Sequence, residues 1–245
     1  MTIGLFDDWR QFKSDAGSLG VNVNEDQLKK FQLLLELMQK FNKRASLTSD
    51  LGLRDAMHVH FLDSLSLVPS IENERLQAGK LIDIGTGGGF PGLPLKIVLP
   101  SLSVHFIEST KKKAEYLKIA LKELSLEGIV VPERAEDIAH DSEFRETFDL
   151  VTARALGNWS TVLELCLPFC RIGGYLFAQR GENAKMEARK YSEITSLFGG
   201  RVYDVISVGT EIGLDSRNII VVRKINAVPE KFPRKSGIPA KRPLE

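Results

Sequence analysis

The stretch Leu81-Ile82-Asp83-Ile84-Gly85-Thr86-Gly87-Gly88-Gly89-Phe90-Pro91-Gly92 constrains the fold more than any other part of the chain. Leu81 to Ile84 is a short apolar run that reads as a buried parallel strand. The glycines that follow permit a tight turn and close approach of backbone to a ligand. Pro91 suits a first helical turn, where its missing N–H is no loss. Leu93, Leu95, Ile97 and Val98 then give a helix an apolar face to lay on a sheet. Strand, glycine turn and helix start together predict a nucleotide-binding corner.

Two cofactor classes use such a corner. Gly87, Gly89 and Gly92 fit G-x-G-x-x-G, the dinucleotide pattern, which is weak by itself. Asp83-x-Gly85-x-Gly87-x-Gly89 also fits the acidic-then-glycine turn of S-adenosylmethionine (SAM) methyltransferases. Phe90-Pro91 favours SAM. A pyrophosphate needs bare backbone beside it, whereas an aromatic ring can pack against an adenosine or methionine group. A turn that merely joins strand to helix is the bland alternative.

The 245 residues, 43% apolar, suffice for one large α/β domain and a small appendage. Helical spacing without strand alternation runs from residue 1 to about 75 and predicts a helical cap. Leu5, Trp9 and Phe12 mark a first helix ended by Gly17 and Gly20. Asn24 caps a second, with Gln27 at the capping-box position and Leu28, Phe31, Leu34, Leu35, Met38 and Phe41 as its stripe. Asp50 can cap a third that carries Met57, Phe61, Leu65 and Val68 and ends near Pro69. Lys40, Lys43 and Arg44 form a basic cluster. His58 and His60, two apart on a helix, splay away from each other and make no convincing metal site.

From residue 76 to 228 strands and helices alternate. Strands are expected at Leu81–Ile84, Val104–Ile107, Ile129–Val131, Phe148–Thr152, Tyr175–Gln179, Val202–Val208 and Ile219–Arg223. Helices are expected at Leu93–Val98, Lys111–Leu124, Asn158–Cys170 and Ala184–Leu197. This predicts an α/β fold with a doubly wound, Rossmann-like sheet ending in a hairpin with an antiparallel last strand. Residues 229 to 245 hold four prolines among basic residues and read as an extended, lightly ordered tail.

Charge is balanced overall, with 33 basic and 32 acidic residues. From Arg223 to Glu245, however, seven basic and two acidic residues give 7 − 2 = +5. A polyanion contact there, shared with Lys111 to Lys113, is the functional expectation. Cys166 and Cys170 are expected on one helix face, as buried packing in a reducing compartment. No apolar run approaches a membrane span, and no signal peptide is evident.

Ligands of open α/β sheets bind beyond the carboxyl ends of the strands. The second strand ends at Glu108, 19 residues after Gly89, where a carboxylate can accept both ribose hydroxyls of an adenosine. Ser109 or Thr110 can cap the next helix. After the third strand, small Ala135 leaves room for a base, and Glu133, Glu136 and Asp137 all remain candidates to reach its amine. The fourth strand delivers Ala153-Arg154-Ala155. Arg154 can hold a methionine carboxylate, an RNA phosphate or a base edge, or else pair with a structural carboxylate such as Asp149 or Glu136.

Several stretches together resemble the glucose-inhibited division protein B family, RsmG: Lys40-Phe41-Asn42-Lys43-Arg44, His60-Phe61-Leu62-Asp63-Ser64-Leu65, Asp83 to Lys96, Glu108 to Lys113, Ala135-Glu136, Ala153-Arg154-Ala155 and Phe232-Pro233-Arg234-Lys235. Ser46 departs from the pattern, standing where members often carry Asn. The family's bacterial enzymes methylate N7 of a guanine in 16S ribosomal RNA. The resemblance implies a class I SAM-dependent sheet with SAM contacts at Gly85, Phe90, Glu108, Ser109, Thr110, Ala135, Glu136 and Arg154, to which the turn itself adds Gly87. It implies a cytoplasmic, monomeric enzyme with no metal, acting on 16S ribosomal RNA or a precursor of the small subunit. N7 carries no proton, so its methylation needs no protein base, and Arg154 is expected to serve orientation or charge. A dinucleotide-dependent oxidoreductase and a non-catalytic nucleotide-sensing module are the competing readings.

Overall fold

A computed structural model describes residues 2–48, 52 and 56–245, with only the backbone described for residues 2–6. The expected cap at Asp50 and the side chain of Leu5 therefore lie outside the described residues.

Helix α1 (Thr2–Ser18) runs through Gly17, and Gly20 turns the chain after it. Helix α2 (Glu25–Ala45) starts at Asn24, whose side chain accepts from the Gln27 N–H while Gln27 reaches back to the Asn24 N–H. It ends at Ser46, at φ 49° and ψ 58°. Asn tolerates that left-handed cap better than most residues, so the Asn expected from the family resemblance would suit this backbone. The expected third helix is instead a π-helix, Ala56–Leu62, running into a helical turn at Asp63–Leu65. Pro69 does not end it but opens α3 (Val68–Asn73), since a proline in a first helical turn loses no hydrogen bond.

Strands β1 (Lys80–Ile84), β2 (Ser103–Ile107), β3 (Ile129–Val131), β4 (Phe148–Arg154), β5 (Cys170–Arg180), β6 (Gly200–Val208) and β7 (Arg217–Lys224) form one sheet in the order β3-β2-β1-β4-β5-β7-β6. β1 to β5 are parallel, and β7 runs antiparallel between β5 and β6. The intervening helices include α4 (Gly92–Val98), α5 (Lys111–Glu123), α6 (Ala135–Ile138) and α7 (Trp159–Cys166).

Period-two alternation sorts the strands onto two cores. Leu81, Phe106, Phe177, Ile219 and Val221 join the helices before β1 around Phe12, Phe31 and Phe61. Ile82, Ile107, Leu176, Ile220 and Val222 pack on α7 and Phe198. Phe12, Phe31 and Phe61 meet at ring centroid distances of 5.1 to 6.1 Å. Aromatic groups bury large area and favour such tilted contacts, so this trio locks the helices before β1 to one another.

Two sequence expectations are corrected here. Cys166 and Cys170 do not share a helix: α7 stops at Cys166, Pro168 follows, and Cys170 begins β5. Both thiols are buried, and burial pushes that of Cys170 up to about 12. Nor is the C-terminal segment lightly ordered. Phe232 is buried against Phe198, and Arg145 donates to the carbonyls of Val228, Pro229 and Phe232. Arg234 forks onto the fully buried Glu164 carboxylate at 2.6 to 3.1 Å.

Candidate active site

The sheet's topological switch lies between β1 and β4, where successive connections leave in opposite directions. The glycine corner follows β1 there, and Arg154 ends β4 there. Buried Asp83 braces the corner. One carboxylate oxygen accepts from the Thr86 hydroxyl at 2.6 Å and the Gly92 N–H at 2.9 Å, and the other accepts from the Thr152 hydroxyl at 3.0 Å. Burial raises its pKa to about 6, against the pull of those bonds. At Gly92 a Cβ would lie 2.5 Å from the Phe106 ring and 2.9 Å from Asp83 Oδ2. Gly85, at φ 65°, would put a Cβ 2.5 Å from the Leu156 side chain. Glycine is therefore favoured by space at both places, and at Gly85 by conformation as well.

Glu108 closes the other side of the corner. Its carboxylate accepts from the Gly87 N–H at 3.0 Å and from the Thr110 N–H at 2.7 Å. Two corner N–H groups, those of Gly87 and Gly92, are thus spent on carboxylates. A pyrophosphate would meet negative charge instead of free donors, while a cationic group meets attraction.

Two hollows flank the switch. The first, about 190 Å³, is lined by Gly85, Ser109, Ala135 and Glu136 among the predicted residues, with Ile84, Ile107, Leu156 and Leu165 as apolar walls. Gly237 and Ala240 of the C-terminal segment also line it. Its apolar walls, small residues and carboxylate rim suit a purine nucleoside. Of the three acids left open after β3, Glu133 and Glu136 line this hollow, and Glu136 also accepts the Gly237 N–H at 2.8 Å. Asp137 instead accepts from the exposed Ser236 hydroxyl at 2.6 Å.

The second, about 340 Å³, lies against the helices before β1 and is lined by His60, Asp63, Arg154, Ala155, Gln179 and Arg217 among others. Arg154 does not pair with Asp149 or Glu136. It donates to the Val59 carbonyl at 2.8 Å and to Asp63 at 3.2 Å, and lies 5.0 Å over the Phe90 ring. Asp149 is taken by Arg171 at 2.7 Å and by the Lys80 N–H. Asp63 is buried, and desolvation raises its pKa while Arg154 and Arg217 pull it down. Phe90 is itself buried, its ring stacked on His60 at 4.9 Å, so the aromatic surface expected beside a cofactor faces the π-helix instead. His60 also hydrogen-bonds Thr48 at 2.8 Å, and His58 lies 3.8 Å from Asp15.

Ala155 lies in the chain between the residues that line the two hollows. At φ 54° it turns the chain so that Arg154 lines one and Leu156 the other. The left-handed region costs a residue with a Cβ, and such strain gathers at functional sites. The structure therefore brings Gly85, Ser109, Ala135 and Glu136 together, sets Gly87, Glu108 and Thr110 beside them, and places Arg154 at the other hollow with Phe90 buried against it. Sequence reading named His60 and Asp63 within the family stretch without placing them in the site, and did not name Gln179 or Arg217. Arg217 had a readable signal: an antiparallel β7 must begin at the edge where β4 and β5 end.

Among the described residues no cluster of three or more His, Cys, Asp or Glu could hold a metal, and no helix is long and apolar enough to cross a membrane.

The family model described as rRNA small subunit methyltransferase G matches residues 27–220. A protein called ribosomal RNA small subunit methyltransferase G from Pelotomaculum thermopropionicum is 38% identical over 233 residues, 95% of this chain and 97% of that one. One of the same name from Acetivibrio thermocellus is 36% identical, over 94% of this chain and 93% of that one. A solved structure described as a SAM dependent methyltransferase from Aquifex aeolicus shares the fold, with a TM-score of 0.53 at 16% identity over 76% of this chain and 98% of that one.

Proposed function

Because the chain belongs to the rRNA small subunit methyltransferase G family, we propose that it transfers the methyl group of SAM to N7 of a guanine in 16S ribosomal RNA. The observation that carries this reading is the pair of hollows lined from successive residues of the Ala155 turn, one suited to an adenosyl group and the other polar and able to take an acceptor base. SAM supplies an electrophilic methyl group on a sulfonium. Ile84, Leu156 and Ala135 line the hollow and would hold the base. Glu108 keeps a lone pair on each oxygen after its two backbone bonds, enough to accept two ribose hydroxyls. The carboxylates of Asp83 and Glu108 give the corner the sign that a sulfonium prefers, which disfavours the oxidoreductase reading.

The guanine enters the polar hollow, where Arg154, held by Asp63 and Val59, offers a fixed cation to a base edge, a phosphate or the methionine carboxylate. N7 would bond the methyl carbon through its own lone pair as the carbon–sulfur bond breaks and its electron pair stays on sulfur, so no proton need move and the chain's task is alignment and exclusion of water. Carbon methylation would require a thiolate, and both thiols are buried with raised pKa values. RNA meets a basic face built from two separated clusters. The end of α2 carries exposed Lys40, Lys43 and Arg44; α5 begins with Lys111 to Lys113. The helices are joined by Arg44–Glu115 at 3.9 Å and Phe41–Tyr116 at 5.8 Å. The protein works as a monomer in the cytoplasm, where its substrate is made.

The test is nucleoside mass analysis of small-subunit RNA from cells lacking the protein, after incubation with the protein and SAM. 7-Methylguanosine is expected. N2-methylguanosine or 5-methylcytidine as the sole product would overturn the reading, and no methylation of RNA or of small subunits would favour a sensing module.

A further inference from the structure

We propose that the C-terminal segment around Gly237 to Ala240 is part of the cofactor site: it forms the outer wall of the adenosyl pocket and contacts the purine. The inference rests on the proposed reading of that hollow as the place of SAM.

Gly237 and Ala240 line the same hollow as Gly85, Ser109, Ala135 and Leu156, although some 80 residues or more separate them in sequence. The segment is fastened on both sides of the hollow. Toward the loop after β3, Glu136 accepts the Gly237 N–H at 2.8 Å and Asp137 accepts the Ser236 hydroxyl at 2.6 Å. Toward α7, the Thr161 hydroxyl donates to the Pro239 carbonyl at 2.9 Å, and Arg234 grips buried Glu164. Thr161 and Leu165, one turn apart on α7, line the hollow themselves. Helix, loop and segment thus enclose one space from three sides.

The chemistry of the wall fits a base better than a phosphate. Gly237, Pro239 and Ala240 are small and uncharged, and they offer backbone and methyl surface to a flat ring. The charges of the segment are elsewhere: Lys235, Lys241 and Arg242 are exposed, while Arg234 is spent on Glu164. The +5 excess that suggested a polyanion arm shrinks further because Lys224 is fully buried against Glu146 at 2.8 Å. A further consequence is reciprocal linkage. A ligand that contacts the docked segment stabilises its docking, and docking raises affinity for the ligand by the same factor.

Two measurements on the full chain test this, with S-adenosylhomocysteine as probe. In calorimetric titration Ala240→Trp should bind the probe at least about tenfold more weakly than wild type, while Lys241→Ala, altered outside the hollow, binds as wild type does. In limited digestion of the wild-type chain, saturating probe should slow tryptic cleavage after Lys235 and Lys241. Equal affinity in Ala240→Trp, or cleavage at Lys235 indifferent to the probe, would overturn the wall while leaving the proposed function standing. A wild-type chain that takes up no probe at all would overturn both. The digestion uses unaltered protein, so a folding defect in Ala240→Trp leaves that test intact.

Discussion

Replacing Asp83 by asparagine should make the protein more stable at neutral pH. The carboxyl is fully buried, and its desolvation carries its pKa from 3.8 to about 6 despite three hydrogen bonds. Because the folded pKa exceeds the unfolded one, the native state holds the proton longer. Stability is then full below about pH 4 and is lost as pH rises through about 6. A shift of roughly two units corresponds to about 3 kcal/mol. Asparagine can offer its oxygen to Thr86 and Gly92 and its amide to Thr152, whose hydroxyl can turn to accept. Urea unfolding of wild type and Asp83→Asn at closely spaced pH values provides the assay. The difference should grow by about 3 kcal/mol in favour of the variant between about pH 3 and pH 7 and stay level above. Asp63, also raised, is common to both chains and cancels. Parallel curves with a constant offset would show that Asp83 titrates normally and refute the argument.

Gly92→Ala forces a methyl group against Phe106 and Asp83 and should cost about 1–3 kcal/mol in chemical denaturation; an unchanged midpoint would contradict the close packing. Arg154→Lys keeps the charge but loses the second nitrogen, which reaches His60 Nδ1 at 3.3 Å while the first holds Val59 and Asp63, so single-turnover methyl transfer should fall at least about tenfold. Wild-type rates in both Arg154→Lys and Arg154→Ala would remove Arg154 from the chemistry. Changing Lys111, Lys112 and Lys113 together to alanine should flatten the log–log salt dependence of RNA binding by about 2, at roughly 0.7 per phosphate contact; an unaltered slope would move the RNA elsewhere. Cys166 and Cys170 should resist iodoacetamide in the native chain and react after unfolding, and rapid native labelling would show an accessible thiolate.

The seven strands were legible because apolar runs with period two or full burial stood between turn residues. The corner was legible because its glycine spacing and Asp83 fall within a dozen residues, although Leu156, Phe106 and Thr152, which crowd or bond them, come from elsewhere in the chain. Ends were less legible. Pro168 cuts the apolar stretch between Cys166 and Cys170 into a helix and a strand, and hydrophobicity alone does not mark the change. The run from Ala184 to Leu197 is likewise two helices, Ala184–Lys190 and Ser192–Leu197, broken at Tyr191. Asp63 looked like one more position on a helix, and only the fold sets it beside Arg154 and Arg217. Charge misled most. Proline and lysine in residues 229 to 245 suggested a solvated arm, but Arg234 and Phe232 each have a partner that lies far away in sequence.

The place of β7 bears on how the protein is made. In vectorial synthesis β5 and β6 leave the ribosome before the strand that will lie between them. Until Ile219 to Val222 arrive, β5 keeps an open hydrogen-bonding edge, and β6 has no partner in the sheet. Both cores also lack a row of side chains over that interval. The nascent chain therefore passes through a window in which a sticky strand edge and unfilled apolar surface are exposed together. A chaperone that shields β5 at that stage protects the gap that β7 later fills.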